Sequence, residues 1–110
     1  MNNQKLECEN YVNDAGNPTG GFASAAGLAI HWQDGPLAVD GVRKEPSGAF
    51  VETVLRAAVD RLEFYQTASG GRFAHNCNEA ALKDLKCALM HLEMRTKERE
   101  ARGVEGSHVV

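Results

Sequence analysis

Three arginines close the last amphipathic stretch of the chain. The segment MRTKEREARGVEGSH places them at 95, 99 and 102, just ahead of Gly103. Arg95 and Arg99 stand one helical turn apart on one face, and Arg102 follows a turn later. Guanidinium groups in such an array give forked, charge-assisted hydrogen bonds to phosphate or carboxylate oxygens. A plainer role is also open to them. Cations near a helix carboxyl end complement the macrodipole, at about 0.3–1 kcal/mol each. Glu93–Lys97 and Glu98–Arg102 are i,i+4 pairs in the favourable order. Spacing alone does not choose between anion binding and helix-end stabilisation.

Other chemistry is thin. Cys87 and His91 are spaced i,i+4, enough for half a zinc site, and His75 and Cys77 stand near the start of the same helix. About 15 Å of helix separates the two pairs, so four ligands do not converge in one chain. No Ser-His-Asp or Cys-His arrangement can be assembled. The glycines at 20–21 and 69–71 lack the strand-glycine-helix order and the Lys-Ser/Thr ending of a phosphate loop. Asp60 and Glu63 belong to an ordinary solvated face. The expectation is a protein without catalytic machinery, cofactor or metal.

The elements that must carry the arginines follow from periodicity. A first helix is expected from about Gly48 to Thr67, behind Pro46 and a Ser47 cap. Its apolar positions are Val51, Leu55, Ala58, Leu62 and Tyr65. A second helix is expected from about Asn78 to Arg102, opened by a capping box of Asn76 and Glu79. Leu82, Leu85, Leu89 and Leu92 form its seam. The link ASGGRFAHN is short, so the two helices form an antiparallel hairpin. At 1.5 Å per residue the first helix runs out opposite roughly residues 95–98. The arginines are therefore expected to overhang, with nothing beneath them in a single chain.

Ahead of the helices, Leu28, Ile30 and Trp32 alternate, QDGP turns the chain, Leu37 and Val39 alternate, and DG turns it again. This pattern predicts a short strand-turn-strand element. Residues 1–26 are rich in Asn, Gly, Ser and Ala without a period, which predicts a mobile arm. The fold class is therefore α+β: a long antiparallel two-helix hairpin with a small N-terminal antiparallel β element. It forms one domain over residues 27–110.

Composition narrows the partners. A chain of 110 residues with a formal net charge of −3 lacks the basic field of duplex nucleic-acid binders. No apolar run is long enough to span a membrane. Three cysteines, an odd number, do not make a disulfide framework. A cytoplasmic location is the expectation.

Four stretches stand in a recognisable order: IHWQDGP (30–36), DRLEFYQ (60–66), RFAHNCNEAALKDLKCALMHL (72–92) and RTKEREARGVEGSH (95–108). In this the chain resembles a family of phage anti-defence sponges built on a helical-hairpin domain. Members sequester the cyclic nucleotide signals of bacterial Thoeris and CBASS immunity. The closing RTxxRxxRGVEG is the most specific piece. The longer link TASGGR, His91 and Cys77 depart from the family pattern.

The resemblance implies a protein that binds without cleaving. Its ligands would be glycocyclic ADP-ribose isomers and cyclic di- or trinucleotides. It also implies a homo-oligomer, a dimer or a trimer of dimers. The family's pocket roles fall on Tyr65, Asn78, Arg95 and Arg99, with Arg43 near a second site. Backbone amides of RGVEGSH, with Arg102 and Glu105, would complete the pocket. By pattern alone, Tyr65 reads equally as a seam residue and Asn78 as a helix cap. Two other functions stay open at this point: an enzyme acting on the same nucleotides, and a hairpin module that assembles with or adapts to another protein.

Overall fold

The computed structural model describes residues 4–104 and 107–110. The order of elements is β1 (Glu7–Val12), β2 (Pro18–Ala25), β3 (Leu28–His31), β4 (Ala38–Val39), β5 (Val42–Arg43), α1 (Val51–Gly71) and α2 (Asn76–Ala101). A small antiparallel sheet followed by two helices is the expected α+β arrangement. The chain divides into two compact units. One is Met1–Phe50 with Arg102–Val110; the other is the hairpin Val51–Ala101.

In the first unit, β1, β2 and β3 form a meander in that order. Residues 7–25, expected as an arm without regular structure, thus carry two strands. Their cohesion comes from backbone pairing more than from apolar burial. Glu7 pairs with Ser24 and Cys8 with Ala23, while every residue of β1 is exposed. The turn between them is set by Asn13, whose Oδ1 accepts the amides of Ala15 and Asn17, each at 3.0 Å. This is side-chain mimicry of a backbone turn. Gly21 is required by the close approach of β1, because a Cβ there would collide with the Glu9 carbonyl oxygen.

The expected pairing across QDGP does not form. β3 pairs with β2, Phe22 opposite His31 and Ala25 opposite Leu28. β4 pairs instead with β5 across Asp40-Gly41. Both turn residues have positive φ, 51° and 77°, the geometry that makes Asp-Gly a two-residue hairpin turn. What removes the first turn from a ladder is Gln33. Its Oε1 accepts the amides of Ser47 (2.8 Å) and Gly48 (3.2 Å), and the Asp34 amide donates to Ser47 Oγ at 3.2 Å. Trp32 then bridges to Ala49 in parallel. Among the described residues of this unit, Ala23 and Leu37 are the buried apolar side chains.

The hairpin has its expected helices and a shifted seam. Backbone angles leave the helical region at Ala68, Ser69 and Gly70, so the regular part of α1 ends at Thr67. Leu55, Val59, Leu62 and Gln66 are half-buried, whereas Val51, Ala58 and Tyr65 are exposed. Leu55 and Leu62 keep their expected places, while Val59 and Gln66 stand where Ala58 and Tyr65 were expected, so a glutamine ends the inward column. On α2, Leu82 is buried and Leu85, Leu89 and Leu92 are half-buried. Arg56–Glu93 (3.7 Å) and Glu63–Lys86 (3.4 Å) clasp the helices across their exposed edge; pairs so open to water contribute little. The start of α2 is capped by His75 rather than by Asn76. Its Nδ1 accepts the Cys77 amide at 3.0 Å and its carbonyl accepts the Glu79 amide at 3.2 Å. Imidazole nitrogen thereby takes the place of the usual capping oxygen.

Candidate functional site

The hairpin carries polar chemistry at both ends. At the tip, Tyr65 leaves the seam and is exposed, 38% of its surface open. Arg61, one turn earlier, lies over it. The guanidinium carbon is 4.9 Å from the Tyr65 ring centre and 5.1 Å from that of Phe64, and Arg61 Nε donates to Tyr65 Oη at 3.3 Å. Phe64 and Tyr65 are tilted, 6.1 Å apart. The result is two aromatic surfaces under one cation, a place where a flat, electron-rich or anionic group can lodge.

Asn78 stands across the tip, in the first turn of α2. Its Nδ2 donates to Gln66 Oε1 at 3.1 Å, and the same oxygen accepts the His75 amide at 2.9 Å. Asn78 is thus held to α1 and does not cap its own helix. Arg61 and Gln66 are not among the residues expected from the sequence, and His75 was considered there only as a metal ligand. The spacing of Arg61 to Phe64 and Tyr65, three and four residues, was the available signal. Gln66 and His75 act through contacts across the link, which no local spacing reveals.

At the other end, Arg95 and Arg99 are one turn apart on α2, about 6 Å in rise. They differ sharply. Arg95 is exposed and has no hydrogen bond or ion pair among the described residues. Arg99 is only 8% exposed and is engaged within the chain. The expectation that the arginines hang past the hairpin with nothing to meet is therefore corrected for Arg99. Arg102 follows α2, where Gly103 turns the chain at a φ of 73°. Its Nη2 donates to the Val110 carbonyl at 2.8 Å, so it too has a partner. Arg43 is an exposed residue of β5, opposite Ala38. Glu105 lies outside the described residues.

The structure therefore brings Tyr65 and Asn78 to one end of the hairpin and Arg95 and Arg99 to the other. About 25 Å of helix separates Asn78 from Arg95, far more than one nucleotide-sized ligand spans. A shallow groove along α2 is lined by Glu79, Leu82, Lys83, Lys86, Cys87 and Met90. Met90 in its lining and Met94, one turn further along α2, are at least half exposed. Cys8, Cys77 and Cys87 are exposed and outside any disulfide. Among the described residues, no three His, Cys, Asp or Glu side chains gather as metal ligands, and no helix is long and apolar enough to cross a membrane.

No family model matches the chain. Over 81 residues, 72% of its length, the chain is 36% identical to "Thoeris anti-defense 1" of Bacillus phage SBSphiJ7. The match takes in 51% of that protein, so the chain spans about half the length of the relative.

Proposed function

This chain is a relative of the phage Thoeris anti-defense family, and on that premise we propose that it counters bacterial immunity by binding a nucleotide signal and holding it intact. The ligand class is glycocyclic ADP-ribose isomers, with cyclic di- or trinucleotides as the wider set. Tyr65 supplies a stacking face, Asn78 a base- or ribose-directed amide, and Arg95 and Arg99 the guanidinium groups for phosphate.

The observation that carries this reading is the division of recognition chemistry between the two ends of one hairpin. Aromatic and amide groups stand at the tip, guanidinium groups at the tail. An antiparallel pair of chains sets the tip of one against the tail of the other, and two-fold symmetry gives two such pockets per dimer. The exposed Met90 and Met94 on α2 give that pair an apolar face to cover. Arg95 is open to a ligand as it stands. Arg99 must exchange its present contacts for phosphate, so its share of the affinity is reduced by what it gives up.

Two charge-assisted arginine contacts and one stack reach at most about 9 kcal/mol gross, whereas nanomolar capture needs about 12. Arg102 and Glu105, with backbone amides after Gly103, are the proposed source of the remainder, and Arg43 is assigned to a second site.

Calorimetric titration of the full chain against glycocyclic ADP-ribose isomers and cyclic di- and trinucleotides tests the proposal. The expected result is saturable heat at a fixed stoichiometry, with the ligand recovered unchanged by chromatography. Conversion to product would make the protein an enzyme. Absence of heat and of thermal stabilisation across the whole panel would overturn ligand binding and leave the hairpin as an assembly or adaptor module.

A further inference from the structure

At the hairpin tip one oxygen has two donors. Gln66 Oε1 accepts the His75 backbone amide at 2.9 Å and Asn78 Nδ2 at 3.1 Å. The first of these settles the second. A backbone N–H can only donate, so the atom of Gln66 facing it is the oxygen and not the amide nitrogen. A carbonyl oxygen can only accept, so the atom of Asn78 facing Gln66 is Nδ2. The orientation of both side-chain amides is thereby fixed by a group that has no alternative.

The planar carboxamide of Asn78 then turns Oδ1 away from Gln66. Among the described residues nothing donates to that oxygen. It is not sealed off either, because no side-chain oxygen or nitrogen of a described, unexposed residue is both buried and without a partner. Gln66 itself is half-buried at the end of the α1 seam, and Thr67, next to it, turns its hydroxyl back onto the Glu63 carbonyl at 3.2 Å. The oxygen that holds Asn78 is therefore set on the last regular turn of a helix, not on the glycine-containing link.

Resting on the nucleotide-binding reading above, we propose that Gln66 is a positioning residue and that the hairpin tip selects its ligand for a hydrogen-bond donor. A freely rotating Asn78 would accept a donor or an acceptor equally, since its two ends exchange by a half-turn. Held as it is, it presents Oδ1 in one fixed direction, with only the second Nδ2 hydrogen left beside it. The nucleoside facing it must offer an exocyclic amine or a ribose hydroxyl. A base edge that offers only a carbonyl there meets oxygen with oxygen and leaves two acceptors facing each other.

The test compares three probes on the full chain: a glycocyclic ADP-ribose isomer, its inosine-base counterpart, in which the amine is replaced by a carbonyl, and its deoxyribose counterpart. The wild type is expected to bind one of the two analogues about 10-fold or more weaker than the parent, and the weakened one tells whether amine or hydroxyl is read. Gln66→Glu keeps an acceptor for both donors and should retain that preference. Gln66→Leu should erase it, bringing parent and analogue to within about twofold of each other whatever the absolute affinity. Gln66→Met, which keeps the length of the side chain, gives the same readout if leucine unfolds the tip. Retention of the full preference in Gln66→Leu or Gln66→Met overturns the role of Gln66. Equal binding of all three probes by the wild type overturns donor selection while leaving capture intact. Failure of the wild type to bind any of them removes the binding reading itself.

Discussion

The tip and the tail of the hairpin differ in how open they leave their polar groups. At the tip, Tyr65 is exposed and Asn78 half-buried, and both are kept in place by named hydrogen bonds and a cation over a ring. At the tail, Arg99 is buried and engaged within the chain while Arg95, one turn away, is open. A site arranged by side-chain contacts can keep its surface available. A buried charge is stabilising only while its partners stay with it. The tip is therefore a prepared surface, and the tail is part structure and part site.

Substitutions can break this contrast, and their expected effects run from large to small. Replacing Arg95 and Arg99 together with alanine should lower affinity for a glycocyclic ADP-ribose isomer by about 100-fold or more in calorimetric titration. Tyr65→Ala should cost about 1–3 kcal/mol of binding with almost no change in melting temperature, because the ring is largely outside the seam. Arg99→Ala alone should lower unfolding stability by about 1–3 kcal/mol in chemical denaturation, while Arg95→Ala stays within about 0.5 kcal/mol. Equal stabilities for the two variants would erase the difference between the ends. His75→Ala should cost about 0.5–2 kcal/mol through loss of the α2 cap, read as faster amide exchange at Cys77. Smallest of all, Glu63→Gln should change stability by under about 1 kcal/mol, since its ion pair with Lys86 is open to water.

Much of this architecture is legible in the sequence, and the misses have physical causes. The two helices and their ends near 67 and 101 follow from leucine spacing and from the glycines beyond them. The strand at 28–31 follows from alternation. β1 and β2 escaped composition because strands so exposed are specified by cross-strand backbone bonds and by a turn, NDAGN, more than by apolar side chains. The pairing across QDGP is not legible because a side chain, Gln33, overrides a turn signal by recruiting Ser47 and Gly48 from fourteen and fifteen residues away. In the site, types were legible and states were not. The arginine spacing announced anion chemistry, yet nothing in RTKEREAR separates a buried Arg99 from an exposed Arg95. Tyr65 was open to two readings by pattern, and the structure resolves its position: it lies off the seam.

Gln66 has one more consequence. Because a single oxygen joins the last turn of α1 to the first turn of α2, residues 68–74 bridge a gap whose width is already set. Ser69, Gly70 and Gly71 adopt left-handed angles there, and no element packs on a Cβ at Gly70. Lengthening a surface loop by a few residues costs only a fraction of a kcal/mol in closure entropy. Insertions and deletions in this bridge should therefore accumulate between lineages without moving the groups on either side, so homologous tips can share a geometry while differing in loop length.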